Sequence, residues 1–394
     1  MLTAIATPRE ERCLMATIAE RQINWFSAPG PNATISSKAL AQALKPLVAA
    51  HDRSAKEAIA HRVHVATSGH TVFLASRARE AEIRVSLPGE VSGTLDTLIP
   101  WDTLTQLSQI PGPIILDDRS ADTIQGAQTW NPFPLHLWHP EGEADMDWAR
   151  EQPVVEVDAA TLSASLKVLC VATARPNDMR QVLRGILISP KDRWCVATDG
   201  SHLIRTPWPG PITGPDYVVS LNGVKAILAI LGDHPRGQAT WQDSRRWVIV
   251  RYGTIEVAAR YIEGRYPDVH RLFPENYSAE ATVDGRELAQ AIKAIRRAIR
   301  DDRGAIVHVG WRADGLALSV ANTETTCDLT VPGVGRGMLP NDVSICATFS
   351  PYNLAIVEKT LRAGPVRWQR STEEWPALLT QDDTQYLIQP VRPF

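Results

Sequence analysis

The amino-acid sequence predicts an α+β protein made of three successive units, each rich in antiparallel strands and poor in helices. Three observations predict it. One helical pattern occurs three times with the same apolar spacing, and a second helical pattern accompanies it each time. Most of what lies between is short β-prone runs broken by Gly, Pro and Asp.

The first pattern reads "ISSKALAQALKPL" from Ile35, "VDAATLSASLKVL" from Val157 and "VDGRELAQAIKAI" from Val283. Each copy opens on a β-prone residue, takes a short polar step and continues as an amphipathic helix. Leu40, Leu162 and Leu288 correspond, as do Leu44, Leu166 and Ile292, and a lysine follows each time: Lys45, Lys167 and Lys293. A period of this length marks units of domain size. The second pattern reads "WDTLTQLSQI", "NGVKAILAILG" and "PYNLAIVEKTLRAG", and strands are read in "HTVFLAS", "RWVIVRYGTIEVAARYI" and "GLALSVA". Linkers near "EGEADMDWAREQP" and "FPENYSAE" separate the three repeats into units 32–150, 151–276 and 277–394, and residues 1–31 form an N-terminal extension ahead of the first repeat. In the extension, Thr7-Pro8-Arg9-Glu10 is a capping-box pattern with proline at the first helical position, which predicts a short helix from about Pro8 to Asn24. The glycine-spaced "GVGRGM", 333–338, reads as a loop between strands.

At 394 residues the chain exceeds one ordinary core. With 44% hydrophobic and 22% charged residues it has a soluble globular composition, and no apolar run approaches the ~20 residues of a membrane span. Acidic residues stand where a secretory signal needs an apolar core. Five scattered cysteines without a C-x-x-C fit neither a zinc site nor a disulfide framework, so a reducing cytoplasm is expected, with no metal and no cofactor. The formal net charge is −3, so any nucleic-acid role must rest on a local basic surface. The third copy of the first helix supplies one. Lys293, Arg296, Arg297 and Arg300 share a face opposite Leu288, Ile292, Ile295 and Ile299. With Lys45 and Lys167 in the equivalent helices, these residues are candidates for sequence-independent contacts with double-stranded DNA.

The stretch "VATDGSHLIR", 196–205, places Asp199, Ser201 and His202 side by side, the side chains of a nucleophilic triad. Triad members meet in space from separate parts of the chain, whereas neighbours on an extended chain diverge. Asp-Gly between two β-prone runs is instead a hairpin signal, and no G-x-S-x-G elbow is present. The stretch therefore reads as a turn, and its function lies in what the turn presents.

Four motifs in order give the chain a resemblance to the bacterial β sliding clamps, the processivity factors of DNA polymerase III. "MRQVLRGILI", 179–188, resembles the family's segment before the hairpin, and "VATDGSHL" resembles its T-D-G-H-R-L turn. "YIEGRYPDVHRLFP", 261–274, resembles its G-R-[FY]-P-D signature, and "YLIQPVRPF" resembles its C-terminus. The resemblance covers about residues 32–394 and leaves out the extension. It implies a non-catalytic DNA clamp: three clamp-type domains per chain and a head-to-tail homodimeric ring, with helices inside and antiparallel sheets outside. Such a ring encircles duplex DNA, is opened by a clamp loader, and captures replicative or repair polymerases through a peptide-binding pocket. Carried over position by position, that pocket comprises Leu183, Thr198, Gly200, His202, Leu203, Pro267, Arg271, Leu272, Leu387, Pro390, Val391 and Arg392.

This sequence departs from the family in several places. Gln389 replaces an apolar residue and Ser201-His202 replaces His-Arg, which points to an altered partner preference. Pro100-Trp101-Asp102 and Leu221-Asn222-Gly223 stand where basic residues are frequent, which thins the expected DNA lining. A second reading in the same fold is a divergent paralogue serving a specialised repair or mobile-element polymerase. A third is a hydrolase using Asp199, Ser201 and His202, or the pairs Asp301-Asp302 and Asp382-Asp383; no P-loop or H-E-x-x-H motif accompanies it.

Overall fold

A computed structural model describes residues 30–51, 58–135, 154–210, 214–244, 246–299, 304–321, 326–336, 345–371 and 375–391. The helix expected near Pro8 and the linker expected near 141–153 lie outside the described residues. Contacts divide the chain into two compact units. One comprises Met1–Arg150 with Gly253–Val257, and the other comprises Glu151–Tyr252 with Ala258–Phe394.

The first unit begins with β1 (Asn32–Ser36), which runs directly into α1 (Ser37–Leu47). Ser36 Oγ accepts the Ala39 amide at 3.1 Å and so starts the helix, while Leu40, Ala43, Leu44 and Leu47 bury its apolar face. A meander follows, β2 (Arg62–Ser68), β3 (Thr71–Arg77) and β4 (Ala81–Pro88), with every second residue of β2 and β4 buried. The short β5 (Glu90–Ser92) pairs with β1, and β6 (Asp96–Pro100) pairs with β2 before α2 (Trp101–Leu107). The strands β7 (Pro113–Leu116), β8 (Ser120–Thr123) and β9 (Gly126–Thr129) then build outward from β1.

The second unit runs through the same succession twice. Its first pass is β10 (Val154–Asp158), α3 (Ala159–Leu169), β11 (Gly185–Ser189), β12 (Trp194–Thr198), β13 (His202–Pro207), β14 (Tyr217–Ser220), α4 (Leu221–Leu231), β15 (Gln238–Asp243), β16 (Trp247–Tyr252) and β17 (Ile255–Arg260), of which Ile255–Val257 count with the first unit. Its second pass is β18 (Ala279–Asp284), α5 (Gly285–Ala298), β19 (Val307–Arg312), β20 (Gly315–Ala321), β21 (Thr326–Arg336), β22 (Ile345–Phe349), α6 (Pro351–Thr360), β23 (Pro365–Arg370), β24 (Ala377–Gln381) and β25 (Thr384–Ile388). The caps repeat as well. Asp158 accepts the Thr161 amide at 2.8 Å to open α3, and Asp284 accepts those of Arg286 and Glu287 to open α5.

Twelve strands of this unit form one sheet, in the order β14-β11-β12-β13-β25-β24-β23-β18-β21-β20-β19-β22. The join between the two passes is β13 against β25, with Leu203 opposite Leu387. One expectation is corrected here. Residues 333–336 of "GVGRGM" are not a loop but the end of β21, where Gly333 pairs with Val283 and Arg336 with Glu280. Gly333 suits that position because a Cβ there would collide with the Thr282 carbonyl. Tryptophans do much of the core packing: Trp311 and Trp368 are fully buried and stack edge to face at 5.5 Å.

Candidate docking site

Asp199 to Ser201 form the connection between β12 and β13, whose last ladder pair is Thr198 with Leu203. Two side chains close the connection through its own backbone. Asp199 Oδ1 accepts the amides of Ser201 at 2.8 Å and His202 at 3.1 Å, an Asx turn. Thr198 Oγ1 donates to the His202 carbonyl at 2.7 Å and accepts the Gly200 amide at 3.0 Å. Gly200 sits at φ +94°, a left-handed conformation that glycine adopts without strain.

The triad-like residues do not assemble as a triad. No hydrogen bond joins the Ser201 hydroxyl to His202 among the described residues. Asp199 Oδ1 lies 3.2 Å from His202 Nδ1, but it already accepts two turn amides. The His202 ring is 6% exposed; burial lowers its pKa, and the Asp199 charge opposes the shift. Of the acidic pairs, Asp382 holds Arg362 at 3.4 Å in the β24–β25 turn, and Asp301-Asp302 lies outside the described residues.

The C-terminal strand and the turn meet as neighbours in one sheet. His202 stands opposite Ile388, and the Gln389 amide donates to the Ser201 carbonyl at 3.2 Å. Beyond β25, Asn353 Nδ2 donates to the Gln389 carbonyl and the Val391 amide donates to Thr348 O, both near 3 Å. Leu203 and Leu387 share one apolar cluster with Leu187, Val196, Val218, Val269 and Leu378, against which Tyr266, Phe273 and Tyr277 pack. The segment at 261–274 therefore anchors itself through Tyr266, Val269 and Phe273.

The expected pocket residues fall into three groups. Leu183, Thr198, His202, Leu203 and Leu387 are buried, and of these Thr198 and His202 build the turn itself. Pro390 and Val391 are half-buried, whereas Gly200, Pro267, Arg271 and Leu272 lie at the surface. Arg271 is held by Asp268 at 2.9 Å while remaining 87% exposed. Arg392 lies outside the described residues.

Sequence reasoning missed the side chains that frame the turn. Arg180 lies over Gly200, where a Cβ would meet its Nη1 at 2.6 Å, and its Nη2 donates to the Asp199 carbonyl at 2.9 Å. Asp178 grips the same guanidinium, which together with the Arg180 amide draws the Asp178 carboxyl down to about 2. Tyr352, at the start of α6, approaches from the other side: its ring stands edge-on to His202 at 6.1 Å, and its hydroxyl lies 3.5 Å from Asp199 Oδ2. Farther along β13, Arg205 is clamped between Trp194 and Phe273, at 4.4 and 3.5 Å from their ring centres. Burial lowers its pKa to about 10. Arg180 lies inside the quoted "MRQVLRGILI" and was a readable signal, but Tyr352 carried none, because its neighbours come from a distant part of the chain.

The candidate DNA contacts are equally mixed. Lys45, Lys167 and Lys293 are exposed on the three equivalent helices, as is Arg297. Arg296 differs, since its guanidinium is tied to Glu358 of α6. Arg300 lies outside the described residues. Lys225 on α4 and Lys359 on α6 are further exposed cations on the second helices. Lys167 also lines a cleft of 840 Å³ along α3, shared with Arg236, Arg362 and Asp383.

No family model matches the chain. Among known proteins, the β sliding clamp of Staphylococcus aureus is 24% identical over 274 residues, covering 65% of this chain and 71% of that protein. The β sliding clamp of Staphylococcus epidermidis is 26% identical over 193 residues, covering 46% of this chain and 48% of that protein. Among solved structures, the DNA polymerase sliding clamp of Bacillus subtilis aligns with a TM-score of 0.83 over 93% of this chain and all of that one, at 15% identity. The β subunit of the Streptococcus pyogenes DNA polymerase aligns at 0.81 over 92% of this chain, at 17% identity. The chain has the fold of the bacterial β sliding clamps and is similar to them in sequence at low identity.

Proposed function

We propose that the protein is a DNA sliding clamp: a non-catalytic ring that encircles duplex DNA and tethers a polymerase through the surface at the Asp199–Gly200 turn. One observation carries the reading. A capped helix carrying an exposed lysine at the same distance from its cap recurs three times, at Lys45, Lys167 and Lys293, on a fold shared with DNA polymerase clamps. Lysines on mobile stems make point-charge contacts with phosphates and read no bases, which suits a protein that must slide. The ring is proposed as a head-to-tail homodimer of chains with three clamp domains, 32–150, 151–276 and 277–394, opened by a loader.

Duplex binding tests this reading. Affinity should be weak, indifferent to sequence, and steeply dependent on salt, with each phosphate contact contributing ~0.9 to the slope. A Lys45→Ala, Lys167→Ala, Lys293→Ala variant should flatten the slope of log K against log salt by about 3 per chain. An unchanged slope would remove the lysines from the DNA surface. Arg296→Ala should change it less than Arg297→Ala, because Glu358 already neutralises Arg296.

A specialised polymerase as partner is the second reading. It is favoured by Gln389, exposed where the family is apolar while its backbone ties the tail to Ser201 and Asn353.

A further inference from the structure

Three separate stretches carry the residues of the candidate docking surface: β13 with Leu203, β25 with Leu387, and the 261–274 connector with Pro267 and Leu272. One side chain touches all three stretches. Arg205 lies two residues beyond Leu203 on the same face of β13, and its ladder partner on β25 is Gln385, two residues before Leu387. Its Nε donates to Gln385 Oε1. Its Cζ lies 3.5 Å from the centre of the Phe273 ring, the residue after Leu272, and 4.4 Å from that of Trp194 on β12. Both rings pack against the cluster that holds Leu203, Leu387 and Val269. A planar guanidinium between two ring faces is attracted to each, and more strongly where water is displaced.

The connector needs such an anchor. Between Pro267 and Phe273 it makes a single 3-10 turn, His270–Leu272, in which the Leu272 and Phe273 amides donate to the carbonyls of Val269 and His270. One turn of this kind has little stability of its own, so side chains decide where it lies. We propose that Arg205 is a positioning residue of the docking site: stacked on Phe273 and bonded to Gln385, it holds the connector wall against the two strand walls. The inference rests on the docking reading above and adds the residue that keeps its walls together. Arg205 acts through Phe273 and Gln385 and not on the docked peptide.

The test uses the full-length protein and a fluorescein-labelled hexapeptide, Ala-Leu-Ala-Leu-Phe-Ala, titrated by fluorescence anisotropy. Arg205→Met keeps an apolar stem between the rings and removes the charge and the donor. It should bind the peptide about tenfold more weakly than wild type, the scale of one desolvated cation–π contact, and melt within a few degrees of it. Arg205→Lys returns a cation to the two rings and should restore affinity to within about threefold. Phe273→Leu should weaken binding in the wild-type background and add nothing to Arg205→Met, because the two side chains form one contact. Hydrogen exchange in Arg205→Met should quicken at the Leu272 and Phe273 amides and stay unchanged along β13 and β25. Wild-type affinity in Arg205→Met, failure of Arg205→Lys to restore binding, additive effects of the two changes, or exchange that quickens throughout both strands overturns the inference and leaves the docking site standing. Absence of binding to wild type overturns both.

Discussion

Asp199 shows how a residue that looks catalytic becomes structural. Its Oδ1 accepts the amides of Ser201 and His202, so the oxygen nearest the imidazole is engaged in holding the turn. Ser201→Ala should therefore leave peptide binding and melting temperature unchanged within error, and calorimetric titration beside a thermal melt checks both. His202 carries a pH dependence of definite sign. Burial favours its neutral form, so its folded pKa lies below the unfolded value and the unfolded chain binds more protons between the two. The stability from the buried neutral ring is fully present above about pH 6.5 and is lost as pH falls through the folded pKa. Melting temperature should drop more between pH 7.5 and 5 for wild type than for His202→Gln. Equal drops would show that His202 is not the titrating group.

At the scale of elements, the pairing of β13 with β25 decides what the turn stands next to. Leu387 is 3% exposed and faces Leu203 across the ladder, so the last strand is part of the core of its unit as well as an edge of the candidate site. Removing the chain from Leu387 onward would strip two buried apolar side chains, about 3–6 kcal/mol, and mix folding with binding. Ending the chain at Gln389 separates them. β25 then remains, while Pro390, Val391 and the Val391–Thr348 hydrogen bond are lost. That variant should melt within a few degrees of wild type and bind a short polymerase-derived peptide at least tenfold more weakly. Undiminished binding would take the tail out of the docking surface. The capped helices belong to the same scale: Ser36, Asp158 and Asp284 stop a strand and start a helix at equivalent points, which places each lysine at the same station of its helix.

At the scale of the whole molecule, the proposed ring requires two chains. Two heterologous contacts related by one twofold axis close a dimer and leave no open end. Light scattering should give twice the 43.4 kDa chain mass at micromolar concentration, and small-angle scattering should show a hollow particle. A monomer at that concentration would remove the ring. Much of this protein was legible in its sequence because the relevant physics is local. Helix periodicity with its repeated Leu and Lys positions, and the Asp-Gly hairpin at 199–200, depend on neighbours a few residues away. Four short motifs in order were enough for the fold, because strand order follows from the family pattern once the pattern is recognised. Other features were settled only when distant segments met. Arg296 is drawn from the basic face by Glu358, Gly333–Arg336 is held in β21 by β18, and Tyr352 closes over a turn from a different pass of the fold. An ion pair, a ladder and a ring stack each need a partner whose position no local pattern encodes. The sequence by itself thus determined the elements and their repetition, while tertiary contact decided which of its charges and rings remain available to a partner.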